Sequence, residues 1–145
     1  EACNLEDTDL IMVHDAARPC VRESDIRDLL NVAMTEPAGA ILATPVVETV
    51  KRVRHDVVAG TVDRSTLWAA QTPQVFRAGR LREALLAARR EGFTVTDEAS
   101  AIEHAGLRVA VVPGHRDNLK VTTPEDVELA AFYLDTVFCS SGMRA

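Results

Sequence analysis

The sequence predicts an α/β domain with a doubly wound, mostly parallel sheet. Short, continuous apolar runs alternate along the chain with segments whose apolar residues recur at helical spacing. This alternation favours parallel strands joined by crossover helices. A length of 145 residues, 47% of them hydrophobic, is sufficient for one domain with a substantial core. We find no internal repeat and no low-complexity segment.

Three segments have the composition of buried strands. Residues 10–13 (LIMV) form an apolar run that ends at His14 and Asp15. Residues 39–44 (GAILAT) form the second and are closed by Pro45. Residues 108–112 (RVAVV) form the third and lead into a loop. The glycine-containing and proline-containing segments that follow these runs are typical strand ends.

Four segments carry helix signals. Ser24, Thr96 and Thr123 are expected at or near helix starts, and Gly92 follows the last turn of the helix that ends in Arg89 and Arg90. The expected core positions are Ile26, Leu29, Leu30 and Ala33 in the first helix, Leu81, Ala84, Leu85 and Ala88 in the second, and Val127, Ala130, Ala131 and Leu134 in the fourth.

One stretch interrupts the alternation of strands and helices. Residues 46–53 and 57–62 are rich in β-branched side chains, carry polar residues throughout, and are joined by Arg54, His55 and Asp56. They predict a β-hairpin that stands off the main sheet. We call residues 46–62 the arm.

The overall composition excludes several classes of partner. The net charge of −6 argues against a nucleic acid or an anionic membrane surface, since both require a basic face. No apolar run is long enough to span a bilayer. Cys3, Cys20 and Cys139 are scattered, without metal-ligand spacing, and are expected to be ordinary thiols in a reducing cytoplasm.

Candidate functional residues follow the predicted strands. Ligands of doubly wound sheets bind outside the carboxyl ends of the strands, which selects residues 15–18, 44–49 and 115–120. Asp15 can hold Mg²⁺ or accept hydrogen bonds from hydroxyls, and Arg18 can bind an anion. Asp117 could share a metal with Asp15, and Lys120 could contact a phosphate. The alternative is structural: an Asp–Arg turn and a solvated Asp–Asn turn with a surface lysine.

The segment at residues 63–74 combines a tryptophan with uncharged hydrogen-bonding side chains. Such side chains suit recognition of a polyol, and Arg64 and Thr72 are the functional candidates. The alternative is a structured loop that Trp68 pins in the core, and Trp68 itself is expected to be structural. The histidines show neither metal-ligand spacing nor a nucleophile constellation, and the glycine-rich phosphate-binding motifs are absent.

Five motifs in this order carry a family resemblance: HDAARP, PVVETVKR, TVDRSTLWAAQTPQVF, VTDEASAIE and DNLKVTTPED. Together they resemble the 2-C-methyl-D-erythritol 4-phosphate cytidylyltransferase family, from about Leu10 to Leu134. Ribitol-5-phosphate cytidylyltransferases share much of the pattern and are the near alternative. The resemblance implies a nucleotide-diphospho-sugar transferase-like fold and a homodimeric cytoplasmic enzyme of isoprenoid biosynthesis. With Mg²⁺, such an enzyme transfers CMP from CTP to a polyol phosphate.

The resemblance also implies a role for eight residues of this chain. Asp15, Lys120 and Arg64 are the implied catalytic residues. By the same resemblance, Asp15 and Asp117 contact the metal, and Ala16 and Lys120 contact the nucleotide. Asp15 also contacts the substrate hydroxyls, and Arg18 and Thr72 contact the polyol. Thr49 and Arg64 contact the substrate phosphate that is bound in the partner subunit. The arm is the implied dimer contact.

One part of the family pattern has no counterpart in this chain. The family carries a glycine-rich loop near its N-terminus that wraps the CTP phosphates, and the chain begins after that region. We therefore expect this chain to be the C-terminal part of such an enzyme, without its first strands. By itself, the chain is expected to turn over CTP negligibly. A non-catalytic remnant that dimerises or binds ligand is the second hypothesis. An upstream segment with the glycine-rich loop, detectable by intact mass, would distinguish the two.

Overall fold

The computed structural model describes residues 4–138 of the chain, which form strands and helices of one α/β fold. Cys3 and Cys139 lie outside the described residues. The elements are β1 (Leu10–Val13), α1 (Glu23–Thr35), β2 (Gly39–Pro45), β3 (Lys51–Arg54), β4 (Val57–Thr61), β5 (Trp68–Arg77), α2 (Ala78–Arg90), α3 (Glu98–His104), β6 (Ala110–Pro113) and α4 (Pro124–Tyr133), followed by a π-helical segment, Leu134–Phe138.

The main sheet has four strands in the order β1-β5-β2-β6. The predicted α/β class is confirmed, and the three predicted strands, β1, β2 and β6, run in the same direction. Their pairing differs from the prediction, because β5 lies antiparallel between β1 and β2 and only β2 and β6 are parallel neighbours. The arm explains the difference: β2 leads into it and β5 leads out, so β5 returns beside β2 in the opposite direction.

Residues 63–74, for which a structured loop was the alternative to a polyol-binding segment, therefore contain most of a strand. Trp68 begins β5 opposite Pro45 and is 45% exposed. The alternative, a loop that Trp68 pins in the core, is therefore wrong. The buried residues lie further along the same strand, at Val75 and Phe76.

Helices cover both faces of the sheet. In β2, Leu42 packs with Leu29 and Ala33 of α1. The preceding residue, Ile41, faces the opposite side of the sheet and packs with α2 and α3. Successive side chains of a strand point to opposite faces, so β2 contributes to both hydrophobic clusters. Among the described residues, none of the helices combines the length and the apolar character that crossing a bilayer requires.

The helix boundaries differ slightly from those predicted. Helix α1 begins at Glu23, so Ser24 lies inside its first turn and makes no cap. Asp97, rather than Thr96, caps α3: its side chain accepts a hydrogen bond from the Ser100 backbone N–H at 2.9 Å. An aspartate at this position satisfies an otherwise unpaired amide of the first turn.

Helix α4 begins as predicted, with Thr123 in a capping box and Pro124 in the first turn. Most of its predicted core face is not buried in the described residues. Only Ala130 of that face is buried, whereas Val127 is 56% exposed. Helical spacing identified the helix correctly but not the surface that it packs on.

The arm is a β-hairpin separate from the main sheet, as predicted. Strands β3 and β4 pair only with each other in a two-stranded sheet. His55 and Asp56 make the turn with positive φ angles of 47° and 62°, the conformation that a tight hairpin turn requires at both central positions. Four valines of the arm are exposed: Val47, Val53, Val57 and Val58.

Candidate active site

The strand directions bring the predicted site residues to one edge of the sheet. Strands β1, β2 and β6 end at this edge, and β5 begins there because it runs in the opposite direction. A cavity of about 420 Å³ opens at this edge. Among the residues that line it are Asp15, Arg18, Gln71, Thr72, Asp97 and Lys120.

The turn after β1 is fastened to β5. The backbone N–H of Asp15 donates to the hydroxyl oxygen of Thr72 at 2.9 Å, and that oxygen lies 3.0 Å from His14 Nδ1. The other ring nitrogen of His14 lies 3.0 Å from the carbonyl oxygen of Arg18. His14 thus spans the turn, and Thr72 fixes the position of Asp15.

Two cations share one carboxylate oxygen in the cavity. Lys120 Nζ lies 3.0 Å from Asp15 Oδ2, and Arg18 Nε lies 3.6 Å from the same oxygen. The hydrogen bond from Lys120 lowers the pKa of Asp15 below its ordinary value, and the charges of Lys120 and Arg18 act in the same direction, against the effect of burial. Burial lowers the pKa of Arg18, an effect that the charge of Asp15 partly offsets.

The cavity combines cations with hydrogen-bond acceptors. Asp97 and Glu98 also line it, and the Asp97 carboxylate accepts a hydrogen bond from Gln74 Nε2 at 2.9 Å. Cations bind a phosphate, and carboxylate and hydroxyl oxygens accept hydrogen bonds from alcohols. The described lining therefore suits a small molecule that carries both groups.

Replacing Lys120 by Met is expected to raise the pKa of the Asp15 carboxyl toward the ordinary aspartate value. The wild-type pKa is lowered mainly by the Lys120 hydrogen bond, so the ion pair stabilises the folded protein above the ordinary aspartate pKa. That stabilisation is lost as the pH falls through the lowered value. Carboxyl ¹³C NMR titration of Asp15 measures the change.

The control for this titration is Lys51→Met, which removes the positive charge of a lysine in the arm, where Lys51 Nζ donates to Thr61. The control should leave the Asp15 titration unchanged. An Asp15 pKa that is the same in the wild type and in Lys120→Met would show that the two side chains are not paired in solution.

Asp117 does not join the other predicted residues. It is 6% exposed and accepts a hydrogen bond from Arg22 Nε at 2.9 Å. The same contact raises the pKa of Arg22. Asp117 is absent from the cavity lining, and the described residues contain no cluster of three or more His, Cys, Asp or Glu side chains that could hold a metal. The structure therefore gives Asp117 a buried ion pair in place of the predicted position beside Asp15.

Three further predicted residues lie outside the lining of this cavity. Thr49 and Arg64 are exposed at the base of the arm, where the Arg64 guanidinium donates to the carbonyl oxygen of Val47. Ala16 is exposed in the turn that directly follows Asp15. The structure thus brings together Asp15, Arg18, Thr72 and Lys120 in one cavity. Thr49 and Arg64 do not line this cavity of their own chain.

Sequence reasoning missed the buried amides at the cavity, of which Gln71 and Gln74 line it and Asn118 lies beside it. Gln71, Gln74 and Asn118 are 6%, 1% and 0% exposed. The side-chain nitrogen of each amide donates a hydrogen bond to another segment of the site, so these side chains join neighbouring segments. The available signal was the presence of uncharged amides next to predicted strand ends, a pattern shared with many surface turns.

The sequence matches a known protein family. The family model of 2-C-methyl-D-erythritol 4-phosphate cytidylyltransferase matches residues 1–136. The enzyme of that name from Vibrio cholerae is 53% identical over 133 residues, which cover 91% of this chain and 57% of that protein. The counterpart from Actinobacillus pleuropneumoniae is 50% identical over 130 residues, covering 90% and 57%.

Solved structures give the same result. The crystal structure of the Francisella tularensis 2-C-methyl-D-erythritol 4-phosphate cytidylyltransferase superimposes with a TM-score of 0.85 at 40% identity, covering 90% of this chain and 62% of that one. The Thermus thermophilus structure gives 0.78 at 34% identity, covering 86% and 61%. The chain spans little more than half the length of the curated relatives that it matches. On this similarity of sequence and fold, the chain belongs to the 2-C-methyl-D-erythritol 4-phosphate cytidylyltransferase family.

Proposed function

We propose that the full-length protein transfers CMP from CTP to 2-C-methyl-D-erythritol 4-phosphate and releases pyrophosphate, in the cytoplasmic non-mevalonate route to isoprenoids. The observation that carries the proposal is the Lys120–Asp15 pair, 3.0 Å apart, with Arg18 beside it in the cavity. Family membership supports the choice of reaction, since relatives that bear this enzyme's name are about half identical to the chain.

The reaction needs charge stabilisation more than acid–base catalysis. An anionic oxygen of the polyol phosphate attacks the α-phosphorus of CTP, a new P–O bond forms, and the bond to the bridging oxygen breaks. Pyrophosphate leaves with that electron pair, and no proton has to move. The nucleophile is already ionised, so no Ser–His or Cys–His pair is required. Fixed cations are the groups that lower the barrier of such a transfer.

The cavity residues divide this work. The Lys120 ammonium has three N–H donors, so it can contact a phosphate oxygen while it keeps its hydrogen bond to Asp15. Asp15 accepts hydrogen bonds from the substrate hydroxyls, and Arg18 and Thr72 bind the polyol side. Ala16 has a minimal side chain, which leaves the backbone of the turn accessible to the nucleotide.

Asp15 is also the residue that fits Mg²⁺. Mg²⁺ is commonly held by one or two carboxylates, with the remaining positions taken by substrate phosphates and water. The Asp15 side chain is 37% exposed and lines the cavity, whereas the Asp117 carboxylate is buried against Arg22. When bound, the ion would neutralise charge on the phosphates.

We propose that the protein is a homodimer in which each arm completes the partner's cavity. An isolated two-stranded hairpin is marginally stable in water, and the arm exposes Val53, Val57 and Val58. Thr49 and Arg64 lie outside the cavity of their own chain. A two-fold axis would place both arms equivalently, with a hydroxyl and a planar cation at the partner's substrate phosphate.

A segment N-terminal to the sheet is proposed to supply the glycine-rich CTP loop. Strand β1 has one neighbour in the described sheet, so its other edge can pair with a further strand. The relatives are long enough to contain such a segment, because this chain covers only 57% of the Vibrio cholerae protein. The non-catalytic alternative lacks this loop.

The full-length protein, incubated with CTP and Mg²⁺, is expected to prefer 2-C-methyl-D-erythritol 4-phosphate over ribitol 5-phosphate by roughly 10²-fold in kcat/KM, the discrimination that one pocket readily provides. Pyrophosphate release measures the rate, and mass spectrometry identifies the CDP-alcohol. A preference for ribitol 5-phosphate would show that the proposed substrate is wrong and that ribitol 5-phosphate takes its place. Absence of CMP transfer to either alcohol would favour the non-catalytic hypothesis.

A further inference from the structure

We infer that Asn118 is a positioning residue that, together with Gln71, holds the loop bearing Lys120 against β5 and thereby sets the spacing of the two cations in the cavity. Asn118 and Gln71 form a reciprocal pair, which we call the amide clamp. The inference rests on the proposed function, because it concerns the residues that would bind the phosphates.

Asn118 connects three parts of the site. Its side-chain Nδ2 donates to the carbonyl oxygen of Thr72 at 2.8 Å. Its own carbonyl oxygen accepts a hydrogen bond from an Arg18 guanidinium nitrogen at 2.7 Å. The residue is completely buried. One side chain and one carbonyl therefore join the loop after β6 to β5 and to the turn after β1.

Gln71 makes the complementary contacts from the strand. Its Nε2 donates to the carbonyl oxygen of His115 at 2.9 Å and lies 3.4 Å from that of Asn118. Strand and loop thus each provide an amide that binds the backbone of the other. Gly114 leaves room for this arrangement, because a Cβ atom there would lie 2.3 Å from Gln71 Oε1.

The clamp matters because the position of the Lys120 side chain depends mainly on the loop that carries it. That side chain is 49% exposed, and its one described side-chain partner is Asp15. The loop is fastened on either side of Lys120: by Asn118 before it, and after it by the Val121 N–H, which donates to the Ala17 carbonyl at 2.8 Å. A displacement of about 1 Å in a group that contacts the transition state can cost about 10² in rate.

The same hydrogen bonds also fix the positions of Asp15, Thr72 and Lys120 relative to one another. Thr72 accepts from the Asp15 N–H through its hydroxyl and from Asn118 through its carbonyl. The chain of contacts therefore runs from Asp15 through Thr72 to Asn118, two residues before Lys120. Loss of the clamp would move Lys120 without removing any group that touches substrate.

In the full-length enzyme, Asn118→Ala is expected to lower kcat about 10²-fold and to change the KM for the polyol phosphate much less. A double variant gives the more specific test. In a Lys120→Ala background, Asn118→Ala should lower kcat only a few-fold, because the lysine that Asn118 positions is already absent. Asn31→Ala, an exposed position on α1, is the matched control.

A second readout does not depend on turnover. If Asn118→Ala displaces Lys120, the Asp15 carboxyl should titrate at a higher pH, as in Lys120→Met, in a ¹³C NMR experiment on the folded protein. A role confined to stability would lower the melting temperature and leave the Asp15 titration unchanged. If Asn118→Ala does not fold, Gln71→Ala opens the other half of the clamp and should give the same pattern.

Unchanged Asp15 titration in a folded clamp variant would overturn the inference, as would equal losses of kcat in the wild-type and Lys120→Ala backgrounds. The proposed function is tested separately. If the wild-type protein does not transfer CMP, the function fails, whereas the Asp15 titration still decides whether the clamp positions Lys120.

Discussion

In the full-length protein, replacing Lys120 by Ala is expected to lower turnover roughly 10²–10³-fold, the usual effect of removing one group that stabilises transition-state charge. Lys120 is the cavity cation with the greater freedom to meet a phosphate, because Arg18 is mostly buried and already donates to the Asn118 carbonyl. Steady-state pyrophosphate release at saturating CTP and polyol phosphate measures the change.

Arg90→Ala is the control for Lys120→Ala, since it removes an equal charge from the exposed end of α2. It should retain wild-type turnover. A folded Lys120→Ala enzyme with near-normal turnover would mean that another cation faces the reacting phosphorus. The role assigned to Lys120 would then have to be abandoned.

Mixing two inactive full-length variants, Arg64→Ala and Asp15→Ala, is expected to restore about a quarter of wild-type activity, as a two-fold dimer with crossed arms requires. In a mixed dimer, one site combines an intact Asp15 from one subunit with an intact Arg64 from the other. The second site lacks both residues. Random exchange makes half of the dimers mixed, and each contributes one of two sites.

Subunit exchange must be demonstrated in the same samples, for example by native mass spectrometry of differently tagged variants. The parallel control mixes Asp15→Ala with Lys120→Ala, two residues of one cavity, and should restore nothing. If mixed dimers of Arg64→Ala and Asp15→Ala form and remain inactive, Arg64 works in its own subunit and the shared-site proposal is wrong.

Much of the fold could be predicted because the hydrophobic patterns are local. The run at residues 10–13, the GAILAT segment and the helical spacing around Leu81 and Ala84 each correspond to a strand or helix in the structure. The direction shared by the predicted strands placed Asp15, Arg18 and Lys120 at one edge. These predictions succeeded because a short apolar run or the apolar face of a helix is defined by a few neighbouring residues.

The remaining features depend on contacts that are distant in sequence. Nothing local distinguishes β5 from a polar loop, since its pairing arises from the return of the chain after the arm. Asp117 has a site-like position in the sequence, but Arg22, 95 residues away along the chain, engages its carboxylate. Asn118 is functional in our account through partners that are also far away in the sequence, Thr72 at 46 residues and Arg18 at 100.

The most direct test of the account is a crystal structure of the full-length protein with CTP, Mg²⁺ and a non-reactive analogue of the polyol phosphate. We expect a phosphate oxygen within hydrogen-bond distance of Lys120 Nζ, the polyol hydroxyls at Asp15, and Arg64 of one chain at the analogue bound to the other. Ligands bound away from the cavity that Asp15, Arg18 and Lys120 line would contradict the account.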